Sequence, residues 1–232
     1  MKKIGIIGGV GPESTIEYYR LILKRFKEKF NTEDNPEIII HSINMKQMLN
    51  LVFNNRLDEL ADFLAERVKV LENAGVDYGA MASNTPHIVF ESLAQKVSIP
   101  LISIVEETCK AISKKNINRV ALLGTKSTMT AGFYNQVAEK YGIEVIIPES
   151  DDRDFVHDKY LNELVFNKIV PETKIRFIET VNKLTTKASL QGLILGGTEL
   201  PLMLKQSDFT GIEVFDTTRI HVESILEKIM EN

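Results

Sequence analysis

The sequence repeats one pattern, a short apolar run followed by a tight turn and the start of a helix. The four occurrences are Ile4–Gly9 (IGIIGG), Tyr78–Thr85 (YGAMASNT), Arg119–Thr125 (RVALLGT) and Gln191–Thr198 (QGLILGGT). The first and second lie 75 residues apart, counted from Gly8 to Ser83. The third and fourth lie 73 residues apart, counted from Gly124 to Gly197. This agreement indicates two half-size copies of one structural unit.

Within each copy, short apolar runs alternate with longer amphipathic stretches. In the first copy the pattern predicts strands and helices in turn, at Ile4–Ile7, Pro12–Phe30, Glu37–Ser42, Asp58–Ala74 and Tyr78–Ala82. Short strands that alternate with helices are typical of βαβ units and a mostly parallel sheet. We therefore predict an α/β fold with two pseudo-symmetric Rossmann- or flavodoxin-like domains, each a mostly parallel sheet flanked by helices.

The repeat also predicts the domain boundaries. Residues 1–100 plus 210–232 form the first domain and residues 101–209 form the second. Ser98–Ser103 (SIPLIS) is interpreted as the linker between them. The closing strand and helix, Ile212–Met230, have no counterpart under this division, and we expect both to return to the first domain.

Composition argues against several classes of partner. The net charge of −4 and the aromatic content of 7% give no indication of nucleic-acid binding. No apolar run approaches the roughly 18 residues that a membrane span needs. The one cysteine, Cys109, cannot form an internal disulfide, and we expect a cytoplasmic protein.

The turns after the second strand pattern of each copy are the candidate ligand site. Ligands of parallel α/β sheets bind at the carboxyl ends of the strands, so Ser83-Asn84-Thr85 and Gly197-Thr198-Glu199 are expected to face each other across a cleft. We expect Thr85 and Thr198 to cap the following helices, which would offer N–H groups to a carboxylate. Ordinary capping turns that bind nothing are the alternative for each loop.

Other motifs give weaker indications. The turn Gly8–Pro12 (GGVGP) fails the dinucleotide fingerprint, and Pro12 lacks an N–H for a phosphate, so we predict no cofactor. Gly124–Thr128 (GTKST) is either a carboxylate contact or a plain N-cap cluster. The four histidines show no metal-ligand spacing, and we predict no metal. We interpret His87 as a structural residue and Cys109 as a buried small hydrophobe.

At these loops the sequence resembles the aspartate/glutamate racemase family over essentially its whole length. The matching segments, in chain order, are IGIIGGVGPEST at Ile4–Thr15, LENAGVD at Leu71–Asp77, SNTPH at Ser83–His87, LLGTKST at Leu122–Thr128 with Gly132–Tyr134, LGGTELP at Leu195–Pro201, and Phe215–Thr218 with His221. The resemblance implies two α/β domains with the active site between them, no pyridoxal phosphate, and a homodimer that acts on a small amino acid or dicarboxylate.

The resemblance also identifies two departures from the family. The family loops read Cys-Asn-Thr-x-His and Leu-Gly-Cys-Thr-Glu, so Ser83 and Gly197 occupy the positions of the two catalytic cysteines. Racemisation needs an acid/base group on each face of Cα, and thiols with a pKa near 8.5 suit both roles. Cys109 belongs to another element, so the two-thiol mechanism is excluded.

The remaining family positions are those that hold the substrate. By resemblance these are Asn84, Thr85, Thr198, Thr125, Thr128, Asn44 and Glu199. Asn44 would lie near the side-chain end of the substrate, and no basic residue matches those that aspartate racemases use there.

Three functional hypotheses follow from this pattern. In the first, racemisation is altered or weakened, with Ser83 assisted by His87 on one face and bound water or Glu199 on the other. In the second, one base catalyses a lyase or isomerase reaction on a small dicarboxylic acid. In the third, the protein binds an amino acid without catalysis.

Overall fold

The computed structural model describes residues 1–231 and contains two parallel four-stranded sheets of identical strand order. The strands are β1 (Ile4–Gly8), β2 (Ile38–Ser42), β3 (Tyr78–Met81), β4 (Leu101–Ile102), β5 (Arg119–Gly124), β6 (Glu144–Ile146), β7 (Gly192–Gly196) and β8 (Glu213–Asp216). The first sheet has the order β2-β1-β3-β4 and the second β6-β5-β7-β8. The internal repeat and the α/β class predicted from the sequence are thus confirmed.

Helices connect these strands. They are α1 (Pro12–Phe30), α2 (Met45–Phe53), α3 (Leu57–Asn73), α4 (Phe90–Ala94), α5 (Ile104–Lys114), α6 (Lys126–Thr130), α7 (Phe133–Glu139), α8 (Ser150–Asn162), α9 (Pro171–Ala188), α10 (Leu200–Met203) and α11 (Thr217–Ile229). Short 3₁₀ helices lie at Thr85–Val89, Leu164–Phe166 and Gln206–Asp208.

The chain divides into two compact units. The first contains Met1–Ile104 and the closing residues from Thr218 onward, and the second contains Val105–Thr217. The helix that follows each sheet in the chain therefore belongs to the other unit. Helix α5 follows the first sheet and belongs to the second unit, and α11 follows the second sheet and belongs to the first unit.

The first sheet is covered on both faces. Ile4 and Ile6 of β1 pack in a cluster with Tyr18, Ile22 and Phe26 of α1 and with four apolar side chains of α11. Ile7 lies in a second cluster, with apolar residues of α2, α3 and α4. Alternate residues of one strand thus face opposite layers of helices, which explains why β1 is apolar throughout.

Two expectations about the chain's organisation are wrong. Ser98–Ser103 contains β4, which pairs in parallel with β3, and is therefore part of the first sheet and not a linker. The closing strand β8 pairs in parallel with β7 and stays in the second sheet, so only α11 joins the first unit. Both errors share one cause, because β8 is the counterpart of β4, and a two-residue strand is too short to show periodicity.

Candidate functional site

The two candidate loops follow equivalent strands. Ser83 lies two residues beyond the end of β3, and Gly197 lies one residue beyond the end of β7. Each of these strands pairs in parallel with the first strand of its own unit, β1 or β5. Both loops therefore lie at the carboxyl edge of a parallel sheet, where α/β proteins bind ligands.

The first loop is largely buried. Asn84 and Thr85 expose 2% and 6% of their surface, and Ser83 exposes 9%. Within residues 1–231 the Ser83 hydroxyl has no hydrogen-bond partner, whereas its backbone carbonyl accepts one bond. A hydroxyl in this position can accept or donate a hydrogen bond to a ligand.

Thr85 does not cap a helix as expected. It is the first residue of a 3₁₀ helix that runs to Val89, and Asn84 occupies the cap position without a side-chain capping bond. Pro86 is the second residue of this 3₁₀ helix, and α4 begins at Phe90.

His87 is a structural residue. Its Nε2 accepts a hydrogen bond from the N–H of Ile104 at 3.3 Å, so Nδ1 carries the proton and donates to the carbonyl of Ser83 at 3.0 Å. Burial, together with a smaller contribution from the nearby His221, lowers the pKa of His87 to about 3. Both ring nitrogens are occupied, which confirms the structural interpretation of His87.

These contacts rule out His87 as the base that assists Ser83 in the first hypothesis. The imidazole bonds to the backbone of Ser83 and not to its hydroxyl. An imidazole with a pKa near 3 is also a very weak base at neutral pH. Ser83 is therefore a hydroxyl without an activating base in its own unit.

The second loop contains a contact that the sequence did not indicate. A Cβ built on Gly197 would stand 2.8 Å from Cζ and 2.9 Å from Oη of Tyr160, a residue of α8. Real Cβ atoms do not approach other atoms this closely. The phenol ring of Tyr160 therefore fills the space that a side chain at position 197 would need.

Tyr160 is held in place by the rest of the second loop. Its hydroxyl donates a hydrogen bond to Oε2 of Glu199, and the Thr198 hydroxyl donates to the same oxygen at 2.9 Å. All three residues are buried. Burial is the main cause that raises the pKa of Tyr160 well above 10, and the adjacent Glu199 carboxylate adds to it.

Thr198 does not cap α10, contrary to expectation. Glu199 occupies the cap position, again without a side-chain capping bond, and the Thr198 hydroxyl bonds to the Glu199 carboxylate instead. A carboxylate is a stronger acceptor than a neutral group, so it binds the hydroxyl that the sequence assigned to the helix.

The two threonines after β5 lie beside the second loop. Thr125 caps α6 by accepting from the N–H of Thr128 at 3.2 Å, and the two hydroxyls lie 2.9 Å apart. The Thr128 methyl packs against Gly124 and Gly196, which are paired residues of β5 and β7. The structure thus brings Thr125 and Thr128 to the same sheet edge as Thr198, and the capping interpretation of Thr125 is confirmed.

Asn44 is placed differently. Its side-chain oxygen caps α2 by accepting from the N–H of Gln47 at 3.1 Å, and it lines an open groove along the surface of α2. Its role at the end of a substrate stays a prediction.

Cys109 has no chemical role in either loop. It is fully buried on α5, and burial together with Glu106 raises the pKa of its thiol to about 12. The prediction of a buried small hydrophobe is confirmed.

The glycine turn after β1 is used by the fold. Gly9 and Gly11 adopt positive φ angles of 81° and 84°, and the Gly9 N–H donates to the Thr15 hydroxyl at 2.8 Å.

Across residues 1–231, no group of three His, Cys, Asp or Glu side chains is placed to hold a metal ion. No helix of the same range is long and apolar enough to cross a membrane.

The repeated units and their two polar loops define a class of protein, a duplicated α/β protein with buried polar loops at equivalent strand ends. A family model described as "Asp/Glu/Hydantoin racemase" matches residues 7–225, and the chain belongs to this family. The resemblance noted in the sequence is confirmed by this match.

Similar proteins carry related descriptions. The structure of an aspartate racemase homologue from Pyrococcus horikoshii OT3 is 38% identical, with a TM-score of 0.86 and full coverage of both chains. An Asp/Glu racemase candidate from Yersinia pestis is 32% identical, with a TM-score of 0.91 and full coverage of both. The broad-specificity amino-acid racemase RacX of Bacillus subtilis is 31% identical over 146 residues, which cover 62% of this chain and 63% of RacX, less than two thirds of its length.

Proposed function

We propose that the protein binds a small amino acid or dicarboxylate through both loops and exchanges its Cα proton slowly, without thiols and without pyridoxal phosphate. The observation that carries this proposal is that both loops keep buried hydroxyl and amide side chains at the ends of equivalent strands, while the one cysteine is buried in α5. The site retains the groups that bind a carboxylate and lacks the groups that make racemisation fast.

The binding groups suit a carboxylate. Asn84 supplies an amide N–H₂ and Thr85 a hydroxyl in the first loop, and the Thr125–Thr128 pair lies at the same sheet edge as the second loop. Neutral donors of this kind hold a carboxylate by hydrogen bonds, each contributing about 1 kcal/mol to binding. We propose that Ser83 contacts the substrate beside them.

A one-sided reaction is the second candidate. The observation that favours it is the lack of an activating base for Ser83, because His87 bonds to the backbone and stays neutral. A site with one competent face returns the proton to the side from which it was taken. Such a site exchanges the Cα proton with solvent but inverts the amino acid slowly, and it could support an isomerase or lyase step.

The test is proton exchange combined with calorimetry. The protein is incubated in D₂O with L- and D-aspartate and L- and D-glutamate, and the loss of the Cα–H signal is followed by NMR while dissociation constants are measured separately. We expect binding of at least one probe, with exchange faster than inversion. Inversion as fast as exchange would instead indicate two competent faces, and absence of binding would contradict the proposal.

A matched pair of variants tests the loop assignment. Thr198→Val removes a buried loop hydroxyl, and we expect binding to weaken by about fivefold, since one hydrogen bond contributes about 1 kcal/mol. Thr186→Val makes the same change on the exposed surface of α9, where the hydroxyl donates to the carbonyl of Asn182. Equal affinities of the two variants would remove Thr198 from the site.

We also propose a cytoplasmic homodimer, on the basis of the family resemblance. Light scattering in solution is expected to give twice the monomer mass, and a monomer mass would contradict this assignment.

A further inference from the structure

The Tyr160 ring occupies the space that a side chain at position 197 would fill. The ring lies where a Cβ on Gly197 would point, and the phenol oxygen is 2.9 Å from that Cβ position. A reactive atom on a residue at 197 would lie in this same region. The phenol oxygen therefore takes the place of a side-chain atom that Gly197 cannot supply.

The phenol is coupled to a buried carboxylate. Its O–H donates to Oε2 of Glu199, which also accepts from the Thr198 hydroxyl at 2.9 Å. An ionised carboxylate only accepts hydrogen bonds, so it can receive both of these hydroxyl donors. Glu199 exposes 3% of its surface, so the pair has little contact with bulk water.

We infer that Tyr160 and Glu199 form the proton-transfer pair of the second loop, with Tyr160 as the residue that contacts the substrate and Glu199 as its relay partner. This inference rests on the proposed function and names the groups that perform its exchange reaction. Glu199 alone is less well placed for direct attack, because Oε2 is already used by Tyr160 and Thr198.

The relay balances without any added reactant. The Cα–H bond of the substrate breaks and leaves its electron pair on Cα, and the proton bonds to the phenol oxygen of Tyr160. At the same time the original phenol O–H bond breaks and its proton passes to the Glu199 carboxylate. The products are a carbanionic amino acid, a neutral phenol and a neutral Glu199, and the reverse transfers return a proton to Cα.

A relay also agrees with the acidity of the phenol. Burial and the neighbouring carboxylate hold the pKa of Tyr160 well above 10, so the hydroxyl keeps a proton at neutral pH. A free phenolate next to an ionised Glu199 would place two negative charges together in a buried site, which is unfavourable. Simultaneous transfer to Glu199 avoids that state.

The relay predicts an asymmetry between enantiomers. Only the enantiomer whose Cα–H is directed at the Tyr160 loop loses its proton readily, because the Ser83 hydroxyl has no activating base. Once the Glu199 proton exchanges with D₂O, the same face returns deuterium. The expected signature is exchange of one enantiomer with retention of configuration.

The experiment compares two tyrosine variants of the whole chain. Tyr160→Phe keeps the ring that fills the space beside Gly197 and removes only the hydroxyl. Tyr134→Phe is the matched control, since Tyr134 is a fully buried phenol of the same unit that bonds to Thr108. Exchange is measured in D₂O with both enantiomers of aspartate and glutamate, affinity by calorimetry, and folding by the thermal midpoint.

We expect Tyr160→Phe to lower the exchange rate of the favoured enantiomer by about 100-fold, a usual contribution of general acid–base catalysis, with affinity changed less than about threefold. Tyr134→Phe is expected to leave exchange unchanged. Glu199→Gln, which cannot take a proton, provides a second variant if Tyr160→Phe unfolds, and a comparable loss of exchange is expected.

Equal exchange in the wild type and in Tyr160→Phe overturns the inference and leaves Tyr160 as a space-filling residue, with the proposed function intact. A wild type that binds a probe without exchanging its proton also overturns the inference, and it limits the proposed function to binding. A wild type that neither binds nor exchanges overturns both.

Discussion

The structure shows that His87 is a much weaker base than its position in the sequence suggests. In the sequence it stands four residues after Ser83 and is a plausible base. In the structure both ring nitrogens are bonded to backbone groups, and the ring stacks on Phe90 at an interplanar angle of 4°. Sequence proximity cannot reveal this, because the partner Ile104 lies 17 residues away on the other side of β4.

The depressed pKa of His87 predicts a pH-dependent stability. With a folded-state pKa near 3 and an unfolded pKa near 6.5, the unfolded chain binds more protons between these values. The free energy of unfolding is therefore highest above pH 6.5 and falls by about 1.4 kcal/mol per pH unit below it. The loss attributable to His87 between pH 7 and pH 5 is about 2 kcal/mol.

Urea unfolding of the wild type and His87→Gln at pH 7, 6 and 5 measures this contribution. The variant lacks the titrating group, so the difference in stability between the two proteins is expected to narrow by about 2 kcal/mol as the pH falls. A difference that stays constant with pH would show that His87 is not buried as a neutral group.

At the scale of elements, the loop after β7 and helix α8 form one packing unit. Tyr160 of α8 and Gly197 are 37 residues apart, and the ring fits only because position 197 has no side chain. A cysteine at this position would meet the same ring. Introducing a thiol at position 197 would therefore require Tyr160 to be shortened as well.

A double-mutant cycle measures this coupling. Gly197→Ala alone is expected to cost about 2 kcal/mol, because overpacking forces the ring or the backbone to move. Combined with Tyr160→Ala, which empties the space, the same substitution should cost less than about 0.5 kcal/mol, a coupling that only contacting residues show.

Gly132→Ala is the control for this cycle. This substitution destabilises the fold because Gly132 has a left-handed backbone with a φ of 80°, which alanine rarely adopts. The space around its Cβ position is open, so no neighbouring side chain is involved. Its cost should add to that of Tyr160→Ala without coupling. Additivity in both cycles, measured by denaturant unfolding, would refute the packing of Tyr160 against Gly197.

The helix starts in the two loops explain which local predictions failed. Thr85 and Thr198 have the residue type that favours caps, yet neither caps a helix. Thr125 has the same preference and does cap α6. In the first loop Asn84 takes the cap position, and in the second the Glu199 carboxylate competes for the Thr198 hydroxyl. Capping preference is a local tendency that a stronger acceptor overrides.

At the scale of the whole molecule, each unit contains the helix that follows the last strand of the other unit in the chain. The chain passes from the first unit to the second after Ile104 and returns after Thr217, in each case within two residues of the end of a sheet's fourth strand in chain order. The first unit is therefore discontinuous in sequence. Its core includes Val222, Ile225, Leu226 and Ile229, all at most 1% exposed.

Truncation tests this dependence. A chain that ends at Asp216 loses these four side chains, each contributing about 2 kcal/mol on burial, and the total of about 8 kcal/mol is comparable to the whole stability of a domain. We expect amide hydrogen exchange to show loss of protection in β1 and retained protection in β5. The second sheet keeps all four strands in this truncated chain.

A chain that ends at Met230 keeps α11 and serves as the control, with protection expected in both sheets. If the chain that ends at Asp216 still protects β1, then α11 is not an essential part of the first core.

The sequence by itself determined the duplicated α/β architecture, the first three strands of the first copy with helices α1 and α3, and the family. These features depend on periodic burial and on glycine turns, which are written locally in the chain. It also indicated the two loops as the candidate site, because ligands of parallel α/β sheets bind at the carboxyl ends of the strands.

Only the tertiary structure decided the chemistry of those loops. Tyr160 gives no signal in the sequence, since α8 is charged and Tyr160 becomes significant only through its contact with Gly197. The β4 strand likewise cannot be recognised from the sequence, because a two-residue strand is defined by its pairing with β3. In both cases the decisive partner is distant in the chain, and contacts between distant residues are set by packing and not by local pattern.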